Sequence, residues 1–188
     1  MKVALGNDHA GFDLKEYLKP RLVEAGVEVV DCGCYSRDPV DWAEYTLKVV
    51  WELVSGNCDR GIYTCGNGYA MAMLANRVPG IRATICHDSF TARSTKEMGD
   101  SNVISLGARV IGPELAWDLV QIWLKTEFLG KNMPRYARRL EQLAEFDKLF
   151  ARPDWKQRLE EYVKRTGHEE RCYDHCCEDK ARAGGGSH

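Results

Sequence analysis

Apolar positions switch repeatedly between runs and a helical spacing along the chain, and the switches mark the predicted elements. Val3-Ala4-Leu5 is a short unbroken apolar run, the mark of a buried strand over Lys2–Gly6, whereas Phe12, Leu14, Tyr17, Leu18, Leu22 and Val23 recur as one face of a helix. Gly26 ends that helix and Val27–Val30 reads as the next strand. The alternation continues with a helix over Trp42–Val54, a strand over Gly61–Thr64, a helix over Asn67–Asn76 and a strand over Arg82–Ile85. A helix over Ser89–Glu97, a strand over Asn102–Leu106 and a helix from Pro113 to about Leu129 complete it. Pro113 suits a first helical turn, where its missing N–H would have had no partner.

Five strands separated by helices predict an α/β fold: a Rossmann-like, doubly wound, five-stranded parallel sheet, with right-handed crossovers placing helices on both faces. Such sheets bind ligands beyond the carboxyl ends of their strands, where the strand order reverses. The turns expected there are Asn7–Gly11, Cys65–Tyr69, His87-Asp88 and Gly107–Arg109. Residues 1–130 form the predicted domain. A C-terminal helical extension over residues 131–165 follows, with Pro134 and Pro153 opening its two helices, and then a polar, cysteine-rich tail over residues 166–188.

Composition narrows the class of ligand. A chain of 188 residues with 44% hydrophobic content can bury one ordinary core, and a net charge of -2 without a long basic run gives no footprint for nucleic acid. No stretch approaches the roughly 20 apolar residues that span a bilayer, and Met1 leads into a strand pattern rather than a signal peptide. A soluble, cytoplasmic protein with small-molecule or protein partners is expected. Cys32, Cys34, Cys58, Cys65 and Cys86 are scattered through core-forming segments, which favours reduced thiols over a disulfide scaffold. His168, Cys172, His175, Cys176 and Cys177 are zinc-ligand types, but adjacent Cys176 and Cys177 break the usual paired spacing. A tail with incidental thiols is the favoured reading, and no metal or cofactor is expected.

Cys65 is the most informative residue. It stands where the β-forming run Gly61-Ile62-Tyr63-Thr64 stops and Gly66-Asn67-Gly68-Tyr69-Ala70 turns into a helix. Free N–H groups at a helix start lower a thiol's pKa and can hold an anion beside it. Gly66-Asn67-Gly68 lacks the third glycine of a dinucleotide fingerprint, since position 71 is Met, so the turn is read as a row of oxyanion donors. Asp8 and His9 follow the first strand and reach the same mouth, although Asp8 also fits a plain helix cap. Arg135 and Arg139 share a helix face four residues apart, as solvated surface or as a phosphate clamp that Arg109 could join.

Together, Gly6-Asn7-Asp8-His9-Ala10-Gly11-Phe12, Cys65-Gly66-Asn67-Gly68, Asn76–Ala83, Cys86-His87-Asp88 and the segment from Asp100 through Gly107-Ala108-Arg109 to Gly112 closely resemble the type B ribose-5-phosphate isomerase family, which includes galactose-6-phosphate isomerase subunits. The resemblance runs from Met1 to about Phe150. It implies a metal-free aldose–ketose isomerase that works through an enediolate. Cys65 would be the base moving a proton between C1 and C2, the Gly66–Ala70 N–H groups would hold the enediolate oxygen, and Asp8 and His9 would contact the sugar. Arg109, Arg135 and Arg139 would take the phosphate, the last two from a neighbouring subunit. A homo-oligomer, dimer or tetramer, is implied, with the helical arm completing a neighbour's site.

Two positions depart from the family pattern. Its usual His-Asn-Asp is Met98-Gly99-Asp100 here, which removes the imidazole that assists ring opening, and its Cys-Gly-Thr-Gly is Cys65-Gly66-Asn67-Gly68. A thioether donates no proton, so Met98 makes the pocket more apolar. The departure implies a changed substrate preference, toward a tetrose phosphate or a chain that forms no stable furanose. The alternatives are a non-catalytic sugar-phosphate-binding relative, against which the retained Cys65 and its glycine turn speak, or one subunit of a heteromeric isomerase whose partner supplies the histidine.

Overall fold

A computed structural model describes residues 1–166, so the histidines and cysteines from His168 to Cys177 lie outside the described residues. The five strands are β1 (Lys2–Asn7), β2 (Glu28–Asp31), β3 (Arg60–Cys65), β4 (Ala83–Ile85) and β5 (Val103–Gly107). They form one parallel sheet in the order β2-β1-β3-β5-β4. Helices α1 (Phe12–Glu24), α2 (Trp42–Val54), α3 (Tyr69–Ala75), α4 (Ser89–Gly99) and α5 (Pro113–Lys125) connect or follow the strands. The predicted α/β architecture is therefore the observed one.

Alternation along each strand builds the two layers. Val3, Leu5, Ile62, Ile104 and Leu106 face one side and pack with Leu14, Leu18 and Leu22 of α1 and Leu119 and Trp123 of α5. Ala4, Tyr63 and Val103 face the other and pack with Val49 and Val50 of α2 and Met71 and Ala75 of α3. Cys32, Cys34, Cys58, Cys65 and Cys86 are buried free thiols that pack as small apolar residues in and beside the strands.

Several helix boundaries differ from the periodicity, α4 running on to Gly99 and the last helix opening at Trp155 rather than Pro153, and two others have a clear local cause. α3 starts at Tyr69 rather than Asn67, because Gly68 takes a left-handed φ of 84° that ends the turn before the helix begins. α5 stops at Lys125, where Thr126 turns extended, and Leu129–Lys131 forms a separate 3-10 turn. The apolar residues at 128 and 129 thus belong to the exit from α5. Beyond it run α6 (Pro134–Phe150) and α7 (Trp155–Thr166). The chain divides into two compact units between Ala144 and Glu145, and in the second one Phe146 packs edge-on against Tyr162 and Phe150 against Trp155.

The chain leaves β1 toward β2 on one side and β3 toward β4 on the other, so the strand order reverses between β1 and β3. Beyond their carboxyl ends lies the crevice that positions ligands in open α/β sheets. The two ends are pressed together by the 3-10 turn His9–Gly11: Thr64 Oγ1 donates to the Gly11 carbonyl at 2.9 Å. A Cβ on Gly11 would lie 1.9 Å from the Thr64 carbonyl oxygen, too close for any side chain. Gly11→Ala is expected to lower unfolding stability by about 1–3 kcal/mol, the usual cost of overpacking, as measured by urea titration.

Candidate active site

Cys65 ends β3 and is 2% exposed. Its Sγ accepts a hydrogen bond from the Gly68 N–H at 3.0 Å. Burial pushes the thiol's pKa up, opposed by the N–H groups of Gly68, Asn67 and Met71, while the Asp8 carboxylate raises it further. The net direction is upward, which corrects the expectation of an acidified thiol. Three backbone donors do surround the sulfur, but they offset only part of the cost of charging it in a dry setting. Met71 was not foreseen as a donor. The Gly68 N–H, expected to face an oxyanion, is engaged by the sulfur.

Asp8 and His9 are held in front of this thiol by different means. Asp8 is buried and caps the 3-10 turn, its Oδ1 accepting from the Gly11 N–H at 2.9 Å, so the plain capping reading holds alongside any other. His9 Nδ1 accepts from the Val40 N–H at 3.2 Å. The Val40 carbonyl oxygen lies 3.3 Å from the same nitrogen, so the tautomer of the ring decides whether Nδ1 accepts or donates there. Val40 lies far along the chain in the segment after β2, and nothing in the spacing of the sequence points to it.

Arg109 follows β5 beside the same mouth. Its backbone N–H donates to the Gly66 carbonyl at 3.0 Å and its Nη1 lies 3.7 Å from where a Gly66 Cβ would be, so the guanidinium lies beside the glycine turn. His87, just past β4, braces that turn from behind, with Nε2 accepting from the Gly107 N–H at 3.1 Å. Asn67 is exposed at the mouth and Ala70 half-buried. Tyr69 is 52% exposed and lines an apolar cleft of about 490 Å³ with Met73 and Ile85, beside edge strand β4.

Met98 and Gly99 stand elsewhere. α4 sets out past the carboxyl end of β4 and returns to the amino-terminal edge, where Gly99 closes it just before β5. Cys65 pairs with Gly107 at the far end of β5, and Gly61 with Val103 at the near end. The thiol and Met98 are thus separated by the length of β5, roughly 13 Å at 3.3 Å per residue. α5 likewise carries the chain back to the amino-terminal edge, where Leu129–Lys131 packs on α4. α6 starts from there, with the Arg135 and Arg139 guanidiniums 4.8 and 5.5 Å from the Tyr136 ring centre. One chain therefore gathers Cys65, Gly66–Ala70, Asp8, His9 and Arg109 at one edge. Met98, Gly99 and the root of α6 are at the other.

The parallel sheet, the thiol at its switch point and the surrounding turns define a class. Residues 3–143 match the Ribose/Galactose Isomerase family model, and the chain belongs to that family. It is 38% identical over 142 residues to ribose-5-phosphate isomerase B of Escherichia coli, covering 76% of this chain and 93% of that protein. It is 39% identical over 134 residues to D-erythrulose-4-phosphate isomerase of Pectobacterium atrosepticum, covering 69% and 86%. Among solved structures, ribose-5-phosphate isomerase B of Clostridium thermocellum superposes with a TM-score of 0.77 at 43% identity, covering 80% of this chain and 99% of that one.

Among the described residues no three His, Cys, Asp or Glu side chains gather where they could share a metal ion, and no helix is long and apolar enough to cross a membrane. The raised pKa of Cys65 sets its reactivity. The thiolate is the reactive form, so its fraction at neutral pH lies below that of an ordinary cysteine and grows about tenfold per pH unit up to the elevated pKa. Alkylation of Cys65 by iodoacetamide, followed by peptide mapping, is expected to be slow at pH 7 and to climb steadily beyond pH 9.

Proposed function

We propose that this chain is an aldose–ketose isomerase of phosphorylated sugars that needs no metal or cofactor and acts through an enediolate. The observation that carries the reading is the Cys65 thiol, ringed by backbone N–H groups at the switch point beside Asp8, His9 and Arg109. The Cys65 thiolate removes the proton from C2 of the aldose, and the electron pair moves to the C1 carbonyl oxygen. The N–H groups of the Gly66–Ala70 turn that the sulfur leaves free hold that developing oxyanion, the kind of preorganised donor set that contributes most in many enzymes. The proton then returns to C1, with the hydroxyl proton passing between O2 and O1, to give the ketose. Asp8 and His9 contact the sugar hydroxyls.

The site is completed by a second copy of the chain. Arg109 supplies one phosphate contact from the Cys65 edge, while Arg135, Arg139, Met98 and Gly99 reach the substrate from the partner, and the arm over residues 131–165 is the element that presents the arginines. The separation of the two residue sets across the sheet supports a shared site in a homodimer or a tetramer. Bidentate guanidiniums suit the phosphate dianion.

The substrate is a four-carbon sugar phosphate or a chain equally unable to close a furanose. A tetrose phosphorylated on O4 has no free hydroxyl where a five-membered ring would close, so the reaction needs no ring-opening proton donor. Met98, which can donate none, is tolerable for such a substrate and a handicap for ribose 5-phosphate. The relative whose name specifies D-erythrulose 4-phosphate supports this choice.

Turnover of four-, five- and six-carbon aldose phosphates by the purified protein tests the substrate class. A four-carbon preference of at least about tenfold in kcat/KM is expected, a modest 1.4 kcal/mol difference in transition-state binding. A preference for ribose 5-phosphate would refute it. Cys65→Ser is expected to lower kcat by about 10²–10⁴-fold, the usual worth of a positioned base, while leaving the thermal midpoint nearly unchanged.

A further inference from the structure

Lys15, on α1, is wholly buried, and nothing in the isomerisation calls for it. Its Nζ donates to Asp31 Oδ1 and Oδ2 at 3.1 and 3.2 Å and to the Cys34 carbonyl at 3.1 Å, and it lies 3.0 Å from Glu16 Oε1. The Tyr35 ring covers it at 4.7 Å. Burying an ammonium costs several kcal/mol unless its geometry is well matched, and as a plain stabiliser an apolar side chain does as well. Apart from Glu16 on its own helix, the polar partners it has found lie at the root of one segment, the stretch from Asp31 to Asp41 that brings Val40 to His9.

That root is gripped a second time. Asn7, the last residue of β1, donates from Nδ2 to the Asp8 carbonyl at 2.8 Å and to Cys34 Sγ at 3.2 Å. Its Oδ1, buried and without a hydrogen-bond donor, faces Gly33, where an added Cβ would lie 1.6 Å away. α1 and β1 thus clamp residues 31–34 from two sides. The far end of the same segment demands this accuracy. The Val40 N–H is 3.2 Å from His9 Nδ1, and the Val40 carbonyl oxygen is only 3.3 Å from the same nitrogen. Exchanging one of these contacts for the other at Nδ1 requires only a small displacement of Val40. The exchange reverses the tautomer and takes the proton off Nε2.

We propose that Lys15 is a positioning residue for the reaction: through Asp31 and Cys34 it holds the 31–41 segment so that the Val40 N–H keeps His9 Nδ1 an acceptor and Nε2 a donor. The proposal rests on the reading of His9 as a substrate contact. Lys15 touches no reacting atom. It sets which nitrogen of His9 carries the proton that the sugar meets.

The test is a long-range ¹⁵N–¹H NMR spectrum of the His9 imidazole, assigned with His9→Asn, together with steady-state kinetics on the preferred aldose phosphate. Lys15→Met keeps the buried stem, and Asp31 retains Lys19 at 2.6 Å, so no buried carboxylate is stranded. Gly33→Ala disturbs the same root without touching Lys15. The wild type is expected to show an unprotonated Nδ1 and a protonated Nε2. Both variants should show the two nitrogens converging toward mixed tautomers and kcat/KM falling at least tenfold. A folded Lys15→Met protein that keeps the wild-type tautomer overturns the proposal. If Lys15→Met does not fold, an unchanged tautomer in Gly33→Ala overturns it. A mixed tautomer with undiminished turnover overturns the service to catalysis by removing His9 from substrate contact, while leaving Cys65 as base untouched.

Discussion

The constraint on which the mouth of the sheet depends is the approach of the Gly11 backbone to the end of β3. The missing Cβ lets the Asp8–Gly11 turn settle on the Thr64 carbonyl, where the Thr64 hydroxyl closes the contact. Everything at the mouth follows from that approach. Asp8 can cap the turn and still stand beside Cys65, and His9 is carried to the position where Val40 meets it. With any side chain at position 11, β1 and β3 would still pair, but the groups at their carboxyl ends would no longer converge.

Convergence at one edge is the feature that the proposed shared site would exploit. A parallel sheet sends every connecting helix back to the opposite edge, so Met98 at the end of α4 and the root of α6 after α5 are kept away from the thiol by the topology itself. A site that uses both sets has to borrow one from another copy. Under that arrangement the burial of Cys65 has a use. In that proposed arrangement a thiol kept protonated by burial would become a base once cationic groups and a bound substrate change its surroundings, and it would be little exposed to alkylation or oxidation before that.

Much of this was legible in the residues, and what was not has a physical reason. The run Gly61–Thr64 followed by Gly66-Asn67-Gly68 located the thiol, because a strand, a glycine turn and a helix start are local features. Short apolar runs such as Val3-Ala4-Leu5 alternating with helix-spaced segments indicated the doubly wound sheet for the same reason. The direction of the Cys65 pKa was misjudged because backbone donors can be read from a turn, whereas desolvation depends on what covers the sulfur. Met98 and Gly99 were tied to Cys65 by family motif alone, and only the direction of α4 reveals that within one chain they lie at the opposite edge of the sheet. Lys15 reads on paper as a surface lysine on an amphipathic helix, and Val40 as a loop residue. Their connection through Asp31, Cys34 and His9 is a long-range product of folding.

The central claim is that Cys65 removes a carbon-bound proton. It is tested most directly by incubating the protein and its Cys65→Ser variant with a four-carbon aldose phosphate in deuterated water and following C2 of the aldose and C1 of the ketose by NMR. The wild type should incorporate solvent deuterium at both carbons as it interconverts them, and the variant should incorporate it at a rate lower by about two orders of magnitude or more. Exchange at an undiminished rate in the variant would contradict the assignment of Cys65 as the base.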